Sequence, residues 1–105
     1  MREKRIIWVG SVLLDFRAFP PDVRRRIGYE FHQIQQGLTA SYWKPMPAVG
    51  CSVTEVLSGE HRLFYVARFE EAIYVLHAFA KKTAKTSKRD LDLARSRLRE
   101  VIAQR

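Results

Sequence analysis

One cysteine, Cys51, stands among 105 residues, so no disulfide can form within the chain. It has no partner at metal-ligand spacing, and in the strand-like run Cys51 to Leu57 it reads as a small core residue rather than a nucleophile. Scarce cysteine points to a reducing compartment. No stretch approaches the ~18 apolar residues of a membrane span. The opening Met1-Arg-Glu-Lys-Arg-Ile-Ile-Trp8 lacks the apolar core and small-residue cleavage site of a secretion signal, so a cytoplasmic protein without membrane attachment is expected. The three histidines fall on separate segments away from acidic clusters, and no metal is expected. A phosphate-binding P-loop, a dinucleotide fingerprint and a nucleophile elbow are all missing, which sets aside ATP, NAD and serine-hydrolase chemistry. No cofactor is anticipated.

What is present is positive charge, unevenly spread. The chain carries a formal +8, and 47% of it is hydrophobic, enough to pack a core rather than remain disordered. Residues 1–50 hold 8 basic and 4 acidic groups, residues 51–80 hold 2 and 4, and residues 81–105 hold 9 and 3. Most of the excess follows Phe79. Nucleic acid, an acidic protein segment and an anionic membrane surface are the partners that such a distribution attracts.

Periodicity predicts one α+β domain over 1–105. Lys4 to Val9 reads as a strand, and Ser11 as the cap of a short helix from Val12 to Arg17. Val23, Ile27, Phe31 and Ile34 recur at helical spacing, predicting a helix from Pro21 to Gln36 that Gly37 ends, with Arg24, Arg25 and Arg26 mainly outward. Residues 38–50 read as a loop. Three strands follow, Cys51 to Leu57, Arg62 to Phe69 and Ala72 to Phe79, joined at Ser58-Gly59-Glu60 and at Glu70-Glu71 as an antiparallel meander. The last helix is predicted from Lys88 to Ala103, with Leu91, Ala94, Leu98, Val101 and Ile102 on one face, Arg95, Arg97 and Arg99 on the other, and Ser87 and Asp90 forming a near capping box.

Strand alternation decides which cations can cooperate. Arg62 and Arg68 bracket Phe64 and Val66 on one face, either as a solvated rim or as a site. An antiparallel pair brings Arg62 near His77 to Lys82, where arginine could clamp a phosphate bidentately and lysine act as a point charge. His77 shares its face with Val75 and Phe79; it reads either as a half-buried structural histidine or as an acid–base group. Tyr42, Trp43 and Lys44 mix aromatic and cationic groups as base-stacking sites do, though Trp43 equally suits a loop anchor on the core. Lys81, Lys82, Lys85, Lys88 and Arg89 form either a solvated basic loop or a polyanion surface.

The order of several short motifs resembles the toxins of bacterial toxin–antitoxin modules of the RelE/ParE superfamily, in particular the phage-derived, HigB-like killer proteins. They are Pro21-Asp-Val-Arg-Arg-Arg-Ile-Gly28, Gln33-Ile-Gln-Gln-Gly37, Lys44-Pro45, Glu55-Val56, Arg62-Leu-Phe-Tyr-Val-Ala-Arg-Phe69, Tyr74-Val-Leu-His-Ala-Phe-Ala-Lys-Lys82 and Thr86-Ser-Lys-Arg-Asp90. The resemblance implies an N-terminal strand and helical hairpin on one face of a twisted antiparallel sheet, followed by a C-terminal helix, with the other face receiving ribosome-bound messenger RNA. It also implies a metal-independent endoribonuclease, in which the RNA 2′-hydroxyl attacks the adjacent phosphorus to leave a 2′,3′-cyclic phosphate. Arg62 and Lys82 match catalytic positions, with Lys81 as a companion. Lys44, Arg68, Lys85, Lys88 and Arg89 would bind RNA, and His77 is the candidate acid or base. The implied partner is a HigA-like helix-turn-helix antitoxin, with operator DNA contacted only through their complex. A non-enzymatic DNA gyrase poison and an inactive phage-derived basic binding module are the alternatives.

Overall fold

The computed structural model describes residues 3–105. The elements run β1 (Arg5–Trp8), α1 (Val12–Arg17), α2 (Pro21–Gln35), β2 (Trp43–Pro45), β3 (Val53–Ser58), β4 (His61–Val66), β5 (Ala72–Ala80) and α3 (Lys88–Gln104). They build an α+β domain around one five-stranded sheet of order β1-β5-β4-β3-β2. β2 to β5 form the expected antiparallel meander, whereas β1 pairs in parallel with β5, so the sheet is mixed. The parallel pair follows from connectivity: β1 joins the far edge only after the chain has crossed through two helices and three strands.

Both faces of the sheet are covered, by different helices. On one face Val12 of α1 and Ile27, Phe31 and Ile34 of α2 pack with Val56, Leu63, Tyr65, Ile73 and Val75. On the other, Ala94, Leu98 and Val101 of α3 pack with Val53, Phe64, Val66, Phe69 and Leu76. Each fully buried aliphatic side chain contributes about 1.5–3 kcal/mol, which adds to the good intrinsic helix propensity of the leucine-, alanine- and arginine-rich α3. The implied open face is therefore open only where α3 does not reach.

Helix ends follow local chemistry with one exception. Gly37 takes φ +85°, and Leu38 N–H reaches Gln33 C=O at 2.9 Å to close α2. Ser87 caps α3, its Oγ accepting from Asp90 N–H at 3.1 Å. Ser11 makes no cap; its hydroxyl instead donates to Asp15 Oδ2 at 3.1 Å.

Several sequence expectations shift here. Residues 43–45, read as loop, form edge strand β2 against β3. β3 starts at Val53, because Cys51 and Ser52 make a turn in which Ser52 adopts φ +64°. Cys51 is accordingly exposed rather than a core residue. His61, read as part of a turn, opens β4, leaving Gly59 and Glu60 as the hairpin turn with Gly59 at φ +60°. β4 stops at Val66, so residues 67–71 form a longer connection than a tight turn. Ile102 lies off the apolar stripe of α3, 49% exposed.

Candidate functional site

The ladder between β4 and β5 slips by one residue. Phe64 pairs with His77 but Tyr65 pairs with Val75, so Leu76 has no partner on β4. Such a bulge reverses alternation along one strand. Val75 consequently packs with the α1–α2 face, while His77 and Phe79 join Phe64 and Arg62 on the α3 face. The expectation that Val75 shares a face with His77 fails for this reason. Leu76 offers its carbonyl to Arg97 Nη1 of α3 at 3.0 Å, and Arg97 Nη2 donates to Ser11 Oγ at 3.0 Å. A guanidinium expected on the polar face of α3 is thus a tie between helix, bulge and the β1–α1 turn.

Ladder pairing then lays a row across four strands: Lys44, Glu55, Phe64 and His77 stand side by side, with Arg62 opposite Phe79 in the next row. Glu55 is the centre of this row's charge. It is fully buried, and its Oε1 lies 3.6 Å from Lys44 Nζ and 3.5 Å from Arg62 Nε. Neither carboxylate oxygen has a hydrogen-bond partner among the described residues, so the interaction is ionic rather than hydrogen-bonded. Arg62 is held further by its Nη1, which donates to the carbonyls of Gly59 and His61. Anchored on both sides, the Arg62 side chain is 16% exposed, while that of Lys44 is 48% exposed. One buried anion therefore keeps two cations together at one edge of the sheet.

The second cluster lies where β5 meets α3. His77 Nε2 and Asp90 Oδ1 are 2.7 Å apart, and Asp90 Oδ2 accepts from Ser87 Oγ at 2.6 Å. The imidazole also stacks on Phe79, centroids 4.9 Å apart. His77 is buried, and its Nδ1 has no partner among the described residues. Asp90, 26% exposed, is the outward member of the pair. It lines a hollow of about 200 Å³ together with Phe79, Lys81, Lys82, Lys85 and Ser87. Lys81 N–H continues the sheet by donating to Glu60 C=O at 2.7 Å, which fixes where Lys82 leaves the strand.

The residues singled out from sequence thus fall into groups. Arg62 and Lys44 meet through Glu55; Lys81, Lys82 and Lys85 ring the hollow beside Asp90. Arg68 belongs to neither. Because β4 ends at Val66, Arg68 lies beyond the strand, its guanidinium 4.4 Å over the Phe69 ring, and borders a separate groove with Lys4 and Trp43. Trp43 is 48% exposed, so it does not anchor a loop in the core. Lys88 pairs with Asp92 at 2.7 Å, and Arg89 is exposed on the first turn of α3. Sequence reasoning passed over Glu55 as part of the site and read Asp90 only as a helix-start residue. A signal for Glu55 was there: in Val53-Thr-Glu-Val-Leu57 it occupies the same parity as Val53, a carboxylate at an inward position.

Among the described residues no helix is long and apolar enough to cross a membrane. No curated protein matches the sequence. A family profile, phage derived protein Gp49-like (DUF891), matches residues 14–99, a span from α1 to the middle of α3 that includes every residue of both clusters. That family falls within the RelE/HigB-like toxin superfamily, and its members are often toxins of toxin–antitoxin modules. The chain belongs to the Gp49-like family of phage-derived proteins.

Proposed function

We propose that the chain is a toxin that cleaves messenger RNA without a metal, by attack of a ribose 2′-hydroxyl on the adjacent phosphorus, which breaks the P–O5′ bond and leaves a 2′,3′-cyclic phosphate and a protonated 5′-hydroxyl. The observation that carries this reading is the Lys44–Glu55–Arg62 cluster, whose Lys44 and Glu55 share a ladder row with His77 of the His77–Asp90 pair and its rim of lysines. The uncatalysed step is slow because negative charge accumulates on the phosphorane-like transition state. Preorganised cations stabilise that charge without reorganising.

Arg62, its plane set by Glu55 and two carbonyls, clamps a non-bridging oxygen, and Lys44 orients the neighbouring backbone. Lys82, with Lys81 beside it, neutralises charge on the phosphorane and leaving oxygen. Lys85 and Arg89 extend the cationic track along the RNA. A lysine ammonium donates hydrogen bonds and has no lone pair with which to accept a proton, so proton transfer is assigned to the His77–Asp90 pair. His77 acts through Asp90, because its Nε2 is engaged and its ring is buried. The ribosome would supply in-line substrate geometry, and a HigA-like antitoxin would silence the site.

Primer extension on cellular messenger RNA after induction tests the reading. Wild type should produce discrete 5′ ends, and Arg62→Ala or Lys82→Ala should lower cleavage about a hundredfold or more, as loss of one transition-state donor does. Unchanged cleavage in both variants would remove the site assignment. DNA damage with translation intact would replace the ribonuclease by a gyrase poison.

A further inference from the structure

The groove that Arg68 borders lies on the sheet face opposite Glu55. It opens between the C-terminal end of α2 and the strands β2, β3 and β4, with a volume of about 480 Å³, within the range of small-ligand sites. Its walls carry two aromatic rings. Trp43 projects from edge strand β2, and Tyr65 stands on β4 beside Thr54 of β3. Leu38, 57% exposed just beyond α2, contributes apolar surface. Two cations, Lys4 and Arg68, border the groove, and no acidic side chain lines it among the described residues.

One donor is fixed in place by a hydrogen bond, and the Arg68 guanidinium at the rim rests 4.4 Å over the Phe69 ring. Lys4 Nζ donates to Ala67 C=O at 2.5 Å, which holds the ammonium at the groove and leaves two further N–H bonds for a ligand. Tyr65, only 5% exposed, forms the floor of the groove, and burial pushes its phenol up to about 12. Ser52, also in the lining, is the one non-glycine described residue at positive φ, a backbone state that costs energy and recurs at ligand sites. An exposed indole, hydrogen-bonding groups and two bordering cations without a counter-carboxylate among the described residues select a planar heterocycle that carries a negative group.

We propose that this groove binds a nucleotide, its base against Trp43 and its phosphate between Lys4 and Arg68. The nucleotide arrives either free or as one unit of a single strand. β2 offers a route for the second source: Trp43 pairs with Val56 and Lys44 with Glu55, so these consecutive residues serve opposite faces of the same edge strand. A strand crossing that edge meets Lys44 on one side and the groove on the other. The proposal requires no cleavage and stands apart from the nuclease reading.

Isothermal titration calorimetry, with tryptophan fluorescence in parallel, separates the possibilities. The probes are AMP, adenosine, ribose 5-phosphate and a 2′-O-methyl adenosine trinucleotide, which lacks the attacking hydroxyl. Saturable binding of AMP or the trinucleotide is expected, with Arg68→Ala weakening it about tenfold or more, in line with loss of a charge-assisted hydrogen bond. Trp43→Ala should weaken it similarly, and Arg25→Ala, exposed on α2 and outside the groove lining, should leave it intact. Equal affinity for AMP and the trinucleotide assigns the groove to free nucleotides; a much tighter trinucleotide assigns it to a strand. Absence of saturable binding by either probe, ribose 5-phosphate binding as tightly as AMP, or indifference to both groove variants would overturn the proposal.

Discussion

Glu55 shows how one residue can organise a site without touching solvent. A carboxylate with no exposed surface is costly unless charge offsets the lost hydration, and here two cations on neighbouring strands supply the offset. Replacing Glu55 by Leu leaves Arg62 half-sheltered without a counter-charge. It should lower the urea unfolding free energy by about 1–3 kcal/mol, less than for a fully desolvated pair because Lys44 reaches water. Adding Arg62→Met to Glu55→Leu should restore much of that loss, and a double-mutant cycle measures the coupling. A second residue-scale pair joins the last residue to the one just before β5. Arg105 donates to both oxygens of Glu71, at 2.6 and 3.0 Å, and holds the Glu71 carboxyl at about 2, well below its ordinary 4.5. A depressed acid stabilises the fold above its unfolded pKa and loses that contribution as pH falls toward 2. Melting temperature measured from pH 5 to pH 2 should therefore fall less steeply in Arg105→Ala than in wild type. The difference should be small, since both side chains are more than one-third exposed.

At the scale of elements, the bulge in β5 matters most, because it turns His77 toward α3 and so creates the pair with Asp90. Arg97 holds the bulge carbonyl and the β1–α1 turn together. Arg97→Ala should destabilise the fold by about 1–3 kcal/mol through the stranded carbonyl. It should also loosen His77, read by NMR as a shift of its ring resonances. The docking of α3 has a second checkpoint at Gly50, where an added Cβ would overlap Leu98 Cδ2. Gly50→Ala must displace a buried leucine of α3, and thermal unfolding should show a loss of about 1–3 kcal/mol, as overpacking does. Because α3 carries Asp90, the same variant should perturb the site from a distance.

For the whole molecule the governing quantity is the net +8 and where it is displayed. Arg62, Lys44 and the lysines following β5 lie on the face that α3 leaves partly open, and Lys4 and Arg68 border a groove on the other. Affinity for a polyanion should fall steeply with salt, because each neutralised phosphate releases counterions. The double variant Lys85→Ala, Arg89→Ala should reduce the slope of log K against log salt by roughly 1.4 for single-stranded RNA, at about 0.7 per contact. Equal slopes in wild type and variant, measured by fluorescence anisotropy between low and physiological salt, would take these two residues off the RNA track. Lys88 should contribute less, since Asp92 already faces it.

Local chemistry by itself determined the α+β class, the extents of α1, α2 and α3 to within a residue, the Gly37 stop, the Ser87 cap and the alternation that put Arg62 with Phe64. Those features depend on near neighbours in the chain, where periodicity and turn residues act directly. Strand β2 escaped because three residues, the last of them Pro45 with Pro47 close behind, carry no period and become a strand only when β3 offers its ladder. The exposure of Cys51, the face of Val75, the departure of Arg68 and the meeting of Glu55 with Lys44 all required the tertiary structure. Each depends on a bulge, a strand end or a cross-strand pair, and a ladder's register arises from contacts between segments far apart in the chain.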